Sequence, residues 1–217
     1  MKSTKVNISD LNIINFIACP VLHAKTDFKL TDKENYILKE MSGLGVKTND
    51  SKYGVDVSSN HRLLETYGME RVRDFMVGFT QNYVKETLKI EQEFYLTSSW
   101  ATKNKKGDRH HGHTHPNTLL SCVYYAKAES GKLTVSTDRN GLFPNFDFNF
   151  ELTEYNVYNS KSWTLDVKSG DIVIFPGWLN HFSTPNESEE DRLLIGANFF
   201  TRGKFGTYEN TDLIEIK

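Results

Sequence analysis

Two rhythms of apolar and polar positions divide the chain. Val72, Phe75, Met76, Phe79 and Tyr83 recur at the three-to-four-residue spacing of one helix face, following a break at Gly68. That face reads as core packing against the outside of a sheet. Earlier, Thr31 and Glu34 form a capping-box pattern that predicts a helix running to about Met41, ended by Gly43 and Gly45. Ile13 to Ala24, rich in Ile, Phe and Val, reads as an opening strand interrupted at Pro20, and residues 46–57 read as a polar surface loop. From Phe94 the pattern changes to short β-rich runs: Phe94 to Ala101, Leu119 to Lys127, Lys132 to Thr137, Trp163 to Val167, Asp171 to Phe175 and Leu193 to Phe200. Ser169-Gly170 predicts a tight turn, and residues 140–162, rich in Asn, Phe and Tyr, read as a long insertion of the kind that shapes binding sites on β-frameworks. The expectation is a mainly β fold of the sandwich or barrel type, with two facing antiparallel sheets and the helices packed on one of them.

Composition narrows the picture without redirecting it. With 217 residues, one domain is expected: 1–92 as helical support, 93–205 as the β-core and 206–217 as a C-terminal tail. Aromatic residues make up 12% of the chain, which favours an ordered core over disorder. A formal net charge of -2 gives no reason to expect nucleic acid or an acidic membrane surface as a partner. Cys19 and Cys122 are far apart and read as free thiols in a reducing compartment. The first residues lack a signal-peptide pattern and no apolar run reaches membrane-spanning length, so a cytoplasmic location is expected. A homodimer is compatible with all of this.

The chemistry concentrates in two places. Four of the seven histidines, His110, His111, His113 and His115, fall within six positions. On an extended chain, alternate side chains share a face, so His111, His113 and His115 could converge on one ion, and imidazole suits Fe, Zn, Ni or Cu. If the pleat continues, Ser121, Val123 and Tyr125 line the same wall, placing hydroxyl groups where a carboxylate-bearing co-substrate could be held beside a metal. The second place is Gly170 to His181, an apolar strand that ends at Pro176-Gly177 and is followed by His181. Eleven residues on, Arg192 opens the strand Leu193 to Phe200, in which Arg192, Leu194, Gly196 and Asn198 share a face.

A His-x-acid pair, a Tyr-rich strand, a distal His and an Arg about ten residues further on form the layout of Fe(II)/2-oxoglutarate oxygenases, whose facial-triad iron site is a well-known geometry. The chain resembles the prolyl-hydroxylase-like branch of these enzymes. It resembles more closely a bacterial and phage 2OG-Fe(II) oxygenase group whose motifs appear here as Ser99-Trp100-Ala101, His113-Thr114-His115-Pro116, Ser121-Cys122-Val123-Tyr124-Tyr125 and Phe175 to His181, with Ser59-Asn60 and Leu63-Leu64 in the helical half. Cys122 stands where the group has Gly, and Gly177 where it has Ser. His115 stands where the usual triad has a carboxylate; if His115 is not a ligand, Asp138 is the downstream carboxylate to test in its place.

The resemblance implies a double-stranded β-helix (jelly roll, cupin-like), with Fe(II) held by His113, His181 and His115. It also implies 2-oxoglutarate bound at its distal carboxylate by Arg192, with Tyr125 or Ser121 adding a hydroxyl, and O2 as the oxidant. Oxidative decarboxylation coupled to hydroxylation of a small molecule or protein side chain is the implied reaction. Two other classes compete with it: a three-His cupin-like dioxygenase or zinc enzyme, which would need no Arg192, and a non-enzymatic β-sandwich binding module, which would bind no stoichiometric metal.

Overall fold

In the computed structural model, residues 19–43, 46–47, 55–137, 150–208 and 211–217 are described. The elements are β1 Leu22–Lys25, α1 Asp32–Gly43, β2 Val46–Lys47, β3 Asp56–Val57, a 3-10 turn at Leu63–Glu65, α2 Glu70–Glu86, β4 Glu93–Asn104, β5 Leu120–Lys127, β6 Lys132–Ser136, β7 Ser162–Asp166, β8 Asp171–Pro176, β9 Asn180–Ser183, β10 Arg192–Phe205 and β11 Ile214–Ile216. The strands form two sheets. The larger runs β1-β8-β5-β10-β4-β3-β2, with β11 on β10, and the smaller runs β7-β6-β9. Every ladder is antiparallel.

Alternation along the central strands builds two cores. Leu120, Cys122 and Tyr124 of β5, and Leu193, Ile195, Ala197 and Phe199 of β10, face the helices and pack with Leu38, Val72, Met76 and Val84. Their neighbours Tyr125 and Val123, with Leu194, face the smaller sheet and pack with Leu133, Val135, Val173, Phe175 and Leu179. A one-residue register slip would exchange the two sets, so burial on both faces fixes the pairing. This is the expected jelly-roll sandwich with its helices outside one sheet. The capping box forms as written: the Thr31 amide donates to Glu34 Oε2 at 2.7 Å and the Glu34 amide to Thr31 Oγ1 at 3.3 Å.

The structure adds local detail that the sequence pattern does not show. The first ninety residues are not only helical support, because β1, β2 and β3 extend the larger sheet. Of the opening strand, Leu22–Lys25 pairs with β8; Ile13 to Ile17 lie outside the described residues. The loop expected over residues 46–57 contains β2 and β3, two-residue strands too short for a periodic signal. The C-terminal tail carries β11, which pairs Gly203 to Phe205 of β10. The turn at Ser169-Gly170 is present, with the Asp171 amide donating to the Lys168 carbonyl at 3.0 Å, but it carries the chain from the smaller sheet to the larger rather than closing a hairpin.

Candidate metal centre and co-substrate pocket

The histidine-rich segment is not a ladder strand. It lies along β9 through individual bonds. His113 and His181 exchange amide-to-carbonyl bonds at 3.1 and 3.0 Å, the Ser183 amide donates to the His110 carbonyl at 3.2 Å, and the His115 amide donates to the Gly177 carbonyl at 2.8 Å. Directly opposed residues of an antiparallel pair project to the same side. His113 and His181 therefore point into the sandwich together, and His115, two residues on, follows.

The three rings converge. Their centroids lie 5.0 Å (His113 to His115), 4.3 Å (His113 to His181) and 5.0 Å (His115 to His181) apart. One ring nitrogen from each falls within 4.8 Å of the others, and His115 Nε2 is 3.3 Å from His181 Nε2. Two imidazole nitrogens on adjacent sites of one ion, each about 2.1 Å away, sit roughly 3 Å apart, so the donor set fits a first-row divalent metal. The hydrogen bonds point the same way: His113 Nδ1 lies 2.9 Å from the His111 carbonyl and His181 Nδ1 lies 3.1 Å from the Leu179 carbonyl. A carbonyl only accepts, so each Nδ1 carries the proton and each Nε2 presents its lone pair. Burial pushes His181 down to about 2 and His115 to about 4, reinforced by neighbouring histidines, and lowers His113 as well. The rings are neutral near pH 7, as metal ligands must be.

His115 is held by residues from both central strands. The indole of Trp100 on β4 stacks on it with centroids 5.4 Å apart and planes 20° apart. Trp100 lies flat across Gly196 of β10, its register partner, where a Cβ would overlap the indole. Asn198, two residues along β10, hydrogen-bonds the His115 ring, and its Oδ1 accepts from Ser121 Oγ at 2.9 Å. A bulge between Asn198 and Phe199 shifts the β4 register at this point.

Arg192 lies on the inner face of β10, as its alternation with Leu194, Gly196 and Asn198 predicts. It is 1% exposed. Its Nη2 donates to Ser183 Oγ at 3.1 Å and to the Thr184 carbonyl at 3.0 Å, whereas the buried Nε and Nη1 have no partner. No carboxylate among the described residues pairs with it. Burial depresses its pKa, opposed by Tyr125 and Asp108, and a guanidinium stays charged regardless. Tyr125 is buried beside it, and that burial holds the phenol well above its ordinary value, with the Arg192 charge opposing. Sequence spacing suggests that His181 and Arg192 sit on adjoining strands. They instead occupy opposite sheets, β9 and β10, and face each other across the interior.

Ser121, Tyr125, His113, His115, His181 and Arg192 thus all reach one interior. The proton of Ser121 is engaged by Asn198. Asp138 lies outside the described residues, and among the described residues no carboxylate joins the histidine groups. In the sequence Trp100 is a motif residue and Asn198 shares a face with Arg192, but neither is assigned a task at the histidines, and Trp163 is not singled out beyond opening a strand. Trp163 on β7 and His181 on β9 both pair with Val135, so the three form one inward row across the smaller sheet, with Trp163 half-exposed at its edge. Cross-strand register is the only signal that links them.

Residues 98–198 match the family model described as "Putative 2OG-Fe(II) oxygenase". Among solved structures, the chain is similar to the non-heme alpha-ketoglutarate dependent epimerase SnoN of nogalamycin biosynthesis (14% identity, TM-score 0.58, covering 84% of this chain and 78% of that one). It is similar also to a Pseudomonas putida prolyl-4-hydroxylase (13%, 0.52, 85% and 94%), and to HygX from Streptomyces hygroscopicus, solved with nickel and 2-oxoglutarate bound (14%, 0.54, 83% and 82%). At these identities the likeness is one of fold, the double-stranded β-helix. No curated protein matches the chain. Residues 98–198, which carry the histidines, the Tyr-rich strand and the buried arginine, are thus similar to the 2OG-Fe(II) oxygenase family model, and the fold around them is one that such enzymes share.

Proposed function

We propose that the protein is an Fe(II)- and 2-oxoglutarate-dependent hydroxylase, with His113, His115 and His181 holding the iron and Arg192, assisted by Tyr125, taking the distal carboxylate of 2-oxoglutarate. One observation carries the co-substrate assignment: a guanidinium 1% exposed, with two buried N–H groups unpartnered. An unpaired buried charge is expensive and an unsatisfied buried donor adds to the cost. A dicarboxylate reaching inward from the histidines satisfies both with a charge-assisted bond. A zinc enzyme, or a dioxygenase that needs no keto acid, would not need Arg192.

When bound, iron with 2-oxoglutarate and O2 supplies the oxidising chemistry, in which the keto acid is decarboxylated to succinate and CO2 while the substrate is oxidised. The chain orients the reactants and excludes water. His113 and His181 keep their protons on Nδ1, committed to carbonyls. Trp100 and Asn198 hold the third ring, and Ser121 anchors Asn198. Val123, Leu194 and Phe175 keep the wall between the histidines and Arg192 apolar. The substrate, a small molecule or a protein side chain, enters past Trp163, whose indole forms the half-exposed end of the His181 row.

Arg192→Ala tests the pose. Removing one partner of a buried charge pair costs about 3–5 kcal/mol, so 2-oxoglutarate affinity should fall on the order of a hundredfold or more while Fe(II) binding stays nearly intact. Arg192→Lys should fall between, since it keeps the charge and loses the fork. An unchanged Michaelis constant for 2-oxoglutarate in Arg192→Ala contradicts the pose. Iron-loaded wild-type protein that consumes no 2-oxoglutarate against a broad substrate panel favours the three-His dioxygenase.

A further inference from the structure

Two histidines of the cluster, His110 and His111, remain without a role. Their rings are not apart from the metal centre. His110 stacks on His113 with centroids 4.4 Å apart and 29° between planes, and His111 lies 5.1 Å from His110 and 5.3 Å from His113. One ring nitrogen each from His110, His111 and His113 falls within 4.8 Å of the others, a bound that the inner set also meets. All three residues are partly exposed, whereas His181 of the inner set is buried. His110 Nδ1 lies 3.4 Å from the same His111 carbonyl that faces His113 Nδ1 at 2.9 Å. Protons on those nitrogens leave the Nε2 lone pairs of His110 and His113 for a cation.

We propose that His110, His111 and His113 form an outer, solvent-accessible position for a first-row divalent ion, and that this position and the inner one exclude each other because both draw on His113 Nε2. One lone pair binds one ion. An ion arriving from solvent meets the partly exposed outer imidazoles before the buried His181. It moves inward when His113 exchanges its outer partners for His115 and His181, without leaving the protein. The selectivity is that of neutral imidazole, so Fe(II), Co(II), Ni(II), Zn(II) and Cu(II) are admitted, and Mg(II) and Ca(II) are not. The inference rests on the inner set being a metal site, as proposed above.

Co(II) titration of the full-length protein, followed by equilibrium dialysis and by the visible d–d bands, tests it. Wild-type protein should take one equivalent. His181→Ala and His115→Ala, each checked for folding by circular dichroism, should retain one equivalent bound on the order of a hundredfold more weakly, since an intact second set of imidazoles remains. Adding His110→Ala to either variant should abolish that residual binding, and His113→Ala should abolish both modes at once. If His181→Ala and His110→Ala/His181→Ala bind Co(II) alike, and His115→Ala behaves the same way, there is no outer position. Two equivalents on wild-type protein overturn the mutual exclusion. Failure of the inner site itself looks different: wild-type protein and His113→Ala would bind Co(II) equally.

Discussion

At the scale of single residues, the position of Arg192 depends on a residue with no functional group. Gly131, at the start of β6, has φ +117°, and a Cβ there would overlap Arg192 Nη1. Gly131→Ala should therefore displace the guanidinium and weaken 2-oxoglutarate binding while the iron is still held, which isothermal titration of the metal-loaded variant would measure. Equal affinity to wild type would show that the guanidinium does not meet the co-substrate from this side. Much of the residue layer was legible in the sequence, because a period of two is a local property: His113 with His115, and Arg192 with Asn198, share faces as their spacing requires. Trp100 and Trp163 were not legible. Their meaning comes from what stands opposite them, Gly196 and Val135, and register is a long-range property.

At the scale of elements, the centre is assembled where the histidine segment lies against β9, a strand too short and polar to stand out in the sequence. Packing five imidazoles there gives the fold a pH dependence. Burial, aided by mutual repulsion, holds His181 at about 2, His110 at about 3 and His115 at about 4, against the usual value of 6.5. The unfolded chain takes up these protons as pH falls through about 6.5 and the folded chain does not, so acidification favours unfolding. Stability of the metal-free protein should be level above pH of about 7 and decline from about 6.5 toward about 4, read as a falling urea midpoint. A midpoint unchanged between pH of about 7.5 and about 5.5 would mean that the rings are not buried as neutral groups. The β4–β10 pairing carries a second expectation. Gly196→Ala pushes Trp100 off β10 and frees the His115 ring, so Co(II) affinity should drop by roughly ten- to a hundredfold, as for loss of a residue that orients a ligand. A drop in thermal stability with unchanged affinity would make Trp100 a packing residue only.

Across the whole molecule, the helices support one face of the larger sheet and the chemistry occupies the other. Met76 is fully buried among the helices and the outer face of β5 and β10. Met76→Ala should cost about 2–5 kcal/mol of stability yet leave metal affinity per folded molecule unchanged, and coupled losses in both would contradict this division of labour. The division itself was legible in the switch from helical to alternating patterning near Phe94. The short strands β2, β3 and β11 were not, being two or three residues long with pairing supplied by the rest of the sheet. The match over residues 98–198 spans His113, His115, His181 and Arg192. In the proposed function the three histidines and the buried arginine act as one site for iron and 2-oxoglutarate. The most direct measurement is an anaerobic titration of the metal-free protein, first with Fe(II) and then with 2-oxoglutarate, followed by visible absorption. One equivalent of iron should bind, followed by a metal-to-ligand charge-transfer band that saturates at one equivalent of 2-oxoglutarate, is lost in His113→Ala and shifts to much higher keto-acid concentration in Arg192→Ala. Stoichiometric iron with no such band at any concentration of 2-oxoglutarate would mean that the histidines and Arg192 do not form a single site for the two.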